Sequence, residues 1–352
     1  MTPERRLRTS DFEYHLPTEL IAQHPLPDRG GSRLLVVRRG TMRSDDCPPL
    51  VDARFADLPG LISPGDLVVL NTTRVRHARF LGTRPSGAPA EVLLVQPADQ
   101  DTWIAIGKPG SALRPGKRVS IGPEVWIDTV EVLPDGNRRV RFVGADAEEA
   151  MRQFGQLPLP PYIERPPDEL DESRYQTIYA DVEGSVAAPT AGLHFTPALL
   201  AALRSAGVYV EGLVLEVGTG TFKPVEVEDP AQHPMHPERY EITPRLAERV
   251  QQVRASGGRL WAVGTTVVRA LESAARGDGS ISPGPAETRL LILPGYKFQV
   301  VDRLITNFHL PRSTLLMLVC AFAGRKCVLD AYRHAVEKRY RFYSYGDAMV
   351  LI

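Results

Sequence analysis

Apolar positions change their rhythm twice along the chain. Between residues 74 and 144 they come in short runs: EVLLV at 91–95, WIAI at 103–106, RVSI at 118–121, VWIDTV at 125–130 and VRFV at 140–143. Turn signals separate the runs, at Pro109-Gly110, Pro115-Gly116 and the PDGN of 134–137. Five or six short strands with no helical period between them predict a small β-barrel or sandwich. On both sides the pattern is that of an α/β protein. LVVL at 67–70 reads as a buried strand, and Asp146 caps a short helix that ends at Gly155. Farther on come a strand over 208–217, a helix from Pro244 to Ala255, a strand over 259–263 and a helix over 267–275. The expected fold is an α/β main domain, residues 1–71 and 145–352, with a small all-β, barrel-like domain inserted at 72–144. No internal repeat is visible. The proline-rich stretch 157–174, with the acidic run DELDE at 168–172, predicts an extended loop over the surface.

Composition narrows the function. Of 352 residues, 42 are Lys or Arg and 42 Asp or Glu, so any polyanionic partner must be met by a local patch rather than by bulk attraction. A hydrophobic content of 43% with 24% charged residues excludes disorder. No apolar run reaches the roughly 18 residues of a membrane helix, and the arginines at 5, 6 and 8 have no apolar stretch behind them, so a cytoplasmic protein without membrane contact is expected. Three cysteines, Cys47, Cys320 and Cys327, are too few for a disulfide framework and lack the close Cys/His pairs of a zinc site. Chemistry without a metal is the expectation. Only six of the basic residues are Lys, leaving 36 Arg, a bias that genome composition can produce but that also suits phosphate and bases.

Several strings carry candidate chemistry. Gly218 and Gly220, in LEVGTGTF at 215–222, look like the glycine turn of a nucleotide site, but Pro224 argues against a helix there. Close approach of a ligand and a plain tight turn both fit. VGTTVVRALES at 263–273 is a better strand, loop and helix: Gly264 turns the chain, and Thr265 or Thr266 can cap a helix whose free N–H groups face an anion. GSVAAPTAGLHFT at 184–196 propagates no regular element, and His194 at its end is either a proton carrier or a satisfied structural residue. HPMHPE at 233–238 sets His236 and Glu238 in a substrate-facing loop rather than on a zinc-binding helix face. In LITNFHLPRSTLLMLV at 304–319, Thr306, Asn307 and His309 precede a helix capped by Ser313. YRFYSYGD at 340–347 suits base stacking and equally the packing of a C-terminal tail. Two basic clusters, Arg74, Arg76, Arg79 and Arg84, and six residues within 325–341, are solvated faces or RNA contacts.

These strings, with DFEYHLP at 11–17, SRLLV at 32–36 and PGYKF at 294–298, resemble the QueA family, the S-adenosylmethionine:tRNA ribosyltransferase-isomerases of queuosine biosynthesis. The resemblance runs from about Asp11 to the C-terminus and is thin in the β insertion. Two departures are visible. Glu216 stands where the family pattern usually has His, and Thr72-Thr73-Arg74 where it usually reads Asn/Asp-Thr-Arg.

The resemblance implies transfer and isomerisation of the S-adenosylmethionine ribosyl group onto 7-aminomethyl-7-deazaguanine at the tRNA wobble position. Adenine and methionine leave, S-adenosylmethionine is consumed as a substrate, and no cofactor is added. That chemistry needs a base for a 5′ hydrogen and a proton donor for adenine. The candidates are His194, His236 and His309 with Glu216 or Glu238. Thr190, Gly192, Gly218, Gly220, Gly264, Thr265, Thr266, Asn307 and Ser313 are the candidate S-adenosylmethionine contacts. Arg33, Arg74, Arg76, Arg79, Arg341 and Tyr345 are the candidate tRNA contacts, on a monomer. The rivals are an RNA methyltransferase using the same donor and a non-catalytic RNA-binding protein.

Overall fold

The computed structural model describes residues 6–39, 47–99, 101–218 and 225–352. A nine-stranded mixed sheet forms its centre. In spatial order the sheet runs β15 (Gly284–Thr288), β13 (Glu238–Ile242), β12 (Tyr209–Leu215), β3 (Leu67–Asn71), β14 (Leu260–Val263), β16 (Arg303–Asn307), β17 (Ala348–Leu351), β1 (Arg33–Val37) and β2 (Val51–Arg54). The four strands β12, β3, β14 and β16 are parallel neighbours, with Val210 opposite Val68, Trp261 opposite Val68 and Ala262 opposite Leu304.

Alternation along each strand divides the core in two. Leu67 and Val69 join one apolar cluster, Val68 and Leu70 the other. The first cluster is covered by α4 (Pro244–Ala255), α5 (Thr265–Ser273), α6 (Thr314–Ala323) and α7 (Arg325–Glu337), the second by α3 (Pro197–Ser205) with Phe55, Leu58 and Phe195. Helices on both faces explain why β3 reads as an unbroken apolar run rather than an alternating one. Helix starts follow local chemistry: Thr243 accepts from Leu246 N and Ser313 from Leu316 N, each at 3.2 Å.

Six strands, β5 (Arg79–Thr83), β6 (Pro89–Pro97), β7 (Thr102–Lys108), β8 (Arg118–Gly122), β9 (Val125–Val132) and β10 (Arg138–Val143), close into a barrel in the order β10-β7-β6-β5-β8-β9. The helix α1 (Ala147–Phe154), N-capped by Asp146 at 2.8 Å, packs Ala150, Met151 and Phe154 against it. Gly122 makes room: a Cβ there would lie 2.4 Å from the Phe154 ring. The strand β4 (Thr73–Val75) pairs not with the barrel but with β11 (Val182–Ser185).

Two expectations are corrected. Residues 157–168 are irregular, as expected, but the stretch is anchored in the core and ends in a helix. Leu157 and Ile163 are buried, and Asp168 caps α2 (Glu169–Arg174). Asp171, from the acidic run, is fully buried because Arg165 grips it with two nitrogens at 2.5 and 2.8 Å and the Tyr345 hydroxyl donates to it at 2.6 Å. The cysteines form no framework, yet Cys47 and Cys327 are joined by a disulfide across 280 residues, and only Cys320 is free. Linear spacing holds no sign of that pairing, which arises where the connection between β1 and β2 meets the first turn of α7.

Candidate active site

In an open α/β sheet the carboxyl ends of parallel strands gather the ligand-binding loops. Here β12 ends into Glu216, Val217 and Gly218, β14 into Gly264 and Thr265, and β16 into Phe308 and His309. Asn71, ending β3, clamps β12: its Nδ2 donates to Leu215 O, and its Oδ1 accepts from Leu215 N and Thr73 N, all at 3.0–3.1 Å. Two cavities open above this edge. Val217 and Leu315 belong to the walls of both.

The first cavity, about 650 Å³ including its mouth, brings together Thr190, Gly264, Thr265, Thr266, Asn307, His309 and Ser313. Gly264 has φ 96°, a conformation that costs a side-chain-bearing residue free energy, and it turns β14 into α5. Gly264 itself is the N-cap, so neither Thr265 nor Thr266 caps the helix as expected. Gly264 has no side chain with which to cap that first turn, which leaves a positive helix end facing the cavity. Ser313 is the cap of α6, and its hydroxyl also donates to Leu310 O at 2.8 Å. The Nδ2 of Asn307 donates to His194 Nε2 and to Tyr343 O, both at 3.1 Å, whereas its Oδ1 is buried without a partner among the described residues. Such an acceptor calls for a ligand N–H.

The two buried histidines differ in position. His194 lies outside this cavity and has both nitrogens engaged, Nδ1 with Ser32 Oγ at 2.9 Å and Nε2 with the Asn307 amide. Burial, with Arg29, Arg341 and Arg174 nearby, lowers its pKa to about 3, so it stays neutral and holds Asn307 in place. His309 lines the cavity. Its Nε2 meets Thr306 Oγ1 at 2.8 Å, and burial lowers its pKa to about 3. Three rings missed in the sequence, Tyr162, Phe308 and Tyr343, complete the walls, and Tyr343 adopts φ 68°.

The second cavity, about 1210 Å³ including its mouth, lies between the sheet edge and the barrel residues Val95, Ile104 and Leu133. Glu216, Gly218, His236 and Glu238 line it, joined by His233 and Arg269. Glu216 is half-buried and its carboxylate has no partner among the described residues. Gly184 makes space for it: a Cβ there would lie 2.8 Å from Glu216 Cγ. Glu238, on β13, is 5% exposed and paired with Arg269 of α5. His236 is exposed, while burial and the nearness of His236 lower the pKa of His233. Gly220 lies outside the described residues. Gly192 lines neither cavity, because its missing side chain admits Tyr179 Oη, 2.2 Å from where a Cβ would stand.

Of the candidate RNA contacts, Arg74 lies within β4 and Arg76 just after it; they donate to Ala180 O and Glu183 O at 2.5 and 3.2 Å, and Arg76 stacks over Trp103. Arg79 pairs with Glu91 at 3.0 Å. Three others are engaged within the fold. Arg33 binds Asp347 at 3.0 Å and covers the Tyr340 ring at 4.1 Å. Arg341 is held by His24 O and has its pKa lowered by burial. Tyr345 is 5% exposed, edge-on to Tyr175 and bonded to Asp171, with no face left for a base. The aromatic tail packs inward because it carries β17 into the middle of the sheet. Among the described residues, no group of three or more His, Cys, Asp or Glu could hold a metal, and no helix is long and apolar enough to cross a membrane.

A helix end, an amide oxygen without a partner among the described residues, a neutral imidazole and a half-buried carboxylate gather around two cavities at the strand ends of a mixed α/β fold, the arrangement of an enzyme. The chain belongs to the family described as queuosine biosynthesis protein, whose sequence model matches residues 9–351. It is 52% identical over 346 residues to the S-adenosylmethionine:tRNA ribosyltransferase-isomerase of Cupriavidus pinatubonensis, covering 98% of this chain and 99% of that one. The enzyme of the same name from Symbiobacterium thermophilum is 50% identical over 351 residues, 98% of this chain and 100% of that one. The crystal structure of the Thermotoga maritima S-adenosylmethionine tRNA ribosyltransferase, 35% identical, superposes with a TM-score of 0.56 over 97% of this chain and 100% of that one.

Proposed function

We propose that this enzyme transfers the ribosyl part of S-adenosylmethionine to the aminomethyl group of 7-aminomethyl-7-deazaguanine at the tRNA wobble position and isomerises it. The products are epoxyqueuosine-tRNA, adenine and methionine, formed without a metal or added cofactor. The observation that carries this reading is the pair of cavities meeting at Val217 and Leu315, one suited to the donor and one to the base.

In the first cavity the uncapped start of α5 faces the methionyl carboxylate, and Asn307 Oδ1 accepts from the ammonium. The rings of Tyr162, Phe308 and Tyr343 meet the sulfonium, a cation that no acid of that wall neutralises. The sulfonium acidifies the 5′ hydrogens. Glu216, the unpaired carboxylate at the seam, is the base that removes one. His309, neutral and N–H bearing, donates a hydrogen bond towards the departing adenine, and His236 on the outer loop takes the proton lost by the attacking amine. Glu238 acts through Arg269.

In this reading residues 72–144 form an inserted barrel domain on a main domain of 1–71 and 145–352, and the protein is a cytoplasmic monomer. The tRNA lies across the mouth of the second cavity, with Arg74, Arg76 and Arg79 along its backbone. Chromatography of the spent donor tests the reaction. Adenine plus methionine is expected; S-adenosylhomocysteine would mean methyl transfer, and unconsumed donor would mean a binding protein.

A further inference from the structure

Two arginines paired with buried carboxylates are completed differently. Around Arg165 every guanidinium nitrogen is used: Nε donates to Gln23 O at 3.0 Å, Nη1 to Pro166 O and Asp171, and Nη2 to Asp171. Its partner Asp171 is equally saturated, by the Tyr345 hydroxyl and by Asp168 N at 2.8 Å. That pair is structural. Arg269 is 5% exposed, with Nε donating to Leu290 O at 3.0 Å and Nη1 to Glu238, but its Nη2 is buried with no partner among the described residues. A donor on a charged group left unpaired in the interior is costly unless a ligand completes it.

The place of Arg269 says which ligand. It stands one turn along α5 from Thr265, so the helix that starts at the first cavity sends this guanidinium into the wall of the second. Its charge is already balanced by Glu238, and Glu216 shares the wall, so a phosphate would bring negative charge towards two carboxylates. A neutral carbonyl suits the idle N–H without that repulsion. The barrel side offers Val95, Ile104 and Leu133, apolar surface for the face of a flat ring.

We propose that Arg269 Nη2 donates to the 6-oxo group of the 7-deazaguanine base entering the second cavity, and so selects a 6-oxo purine for modification. Glu238 is the positioning residue that fixes the fork. This deepens the function proposed above and rests on it.

The test is a two-by-two comparison of kcat/KM. Anticodon stem-loop RNAs carry either 7-aminomethyl-7-deazaguanine or its 6-deoxo analogue at the wobble position, with the wild-type enzyme and Arg269→Lys. Removing the oxo group should cost the wild-type enzyme about 10- to 100-fold. In Arg269→Lys the oxo-bearing RNA should fall by a similar factor, and the further loss on removing the oxo group should shrink to about twofold, with KM for S-adenosylmethionine unchanged. Equal use of both RNAs by the wild-type enzyme overturns the proposal and needs no variant to fold. So does an undiminished oxo effect in the variant, or a rise in KM for S-adenosylmethionine, which would assign the N–H to the donor. Failure of the function itself shows separately, as no adenine and methionine released with the natural base.

Discussion

His194 and His309 make stability depend on pH in a way that can be calculated. Each has its pKa lowered from 6.5 to about 3 by burial. Below pH 6.5 the unfolded chain takes up a proton on each ring while the folded protein does not, so folding stability falls as the solution becomes more acidic, until the folded pKa is reached. Well inside that window each imidazole contributes a slope of about 1.4 kcal/mol per pH unit, and the two together about 2.7 kcal/mol per unit. Against a total stability of roughly 5–15 kcal/mol, one unit near pH 5 is a large loss. The lowered pKa of Asp171 acts in the same direction only below the ordinary carboxylate range, so the histidine window stands apart from it. Urea unfolding at half-unit steps from pH 7.5 to 4.5 measures the slope. Replacing His309 by Gln removes one titrating ring and should lower the slope near pH 5 by about one proton, or 1.4 kcal/mol per unit. An identical slope in wild-type and variant would refute the reasoning, because it would mean that the ring titrates alike in the folded and unfolded chain.

Other consequences follow from single contacts. Gly184→Ala should place a methyl against Glu216 and lower kcat by about tenfold or more with the melting temperature nearly unchanged; unchanged kcat in a folded variant would remove Glu216 as the base. Tyr343→Leu should weaken binding of S-adenosylmethionine about 3- to 10-fold while leaving that of S-adenosylhomocysteine, whose sulfur is uncharged, nearly the same, measured calorimetrically; parallel losses would show that the ring only fills space. Neutralising Arg74 or Arg76 should reduce the slope of log K against log salt for tRNA by about one unit per lost phosphate contact, and an unaltered slope would exclude that contact.

Elements with strong local signals are legible in the sequence, and those made by distant pairing are not. The helix Pro244–Ala255 is found at its predicted limits because Thr243 caps it, Pro244 fits its first turn and its apolar period is regular. The barrel strands show themselves through Pro-Gly turns. By contrast β13 hides in ERYEI, whose alternation is clear only after the preceding HPMHPE is no longer taken as loop to its end, and β17 is too short to stand out. At the site, glycine turns and polar strings led to most of the first cavity, since residues at strand ends cannot be explained by core packing. Arg269 was missed because an arginine inside an apolar helix looks like an exposed one until burial is known. Tyr345 erred the other way: composition cannot tell a ring that stacks on a base from one that packs on Tyr175.

The order of strands in the sheet also has a consequence for synthesis. β1 finds its parallel neighbour β17 only after nearly the whole chain has been made, and Arg33 N reaches Asp347 Oδ1 across 314 residues. At ribosomal speed that gap lasts on the order of a quarter of a minute to a minute. Through it the inner edge of β1, with Leu34, Leu35, Val36 and Val37, waits with unmade hydrogen bonds beside other growing chains. The nascent protein therefore passes through a long stage with an open apolar edge, and the same late segment closes both that edge, through β17, and the wall of the first cavity, through Tyr343 and Ser344.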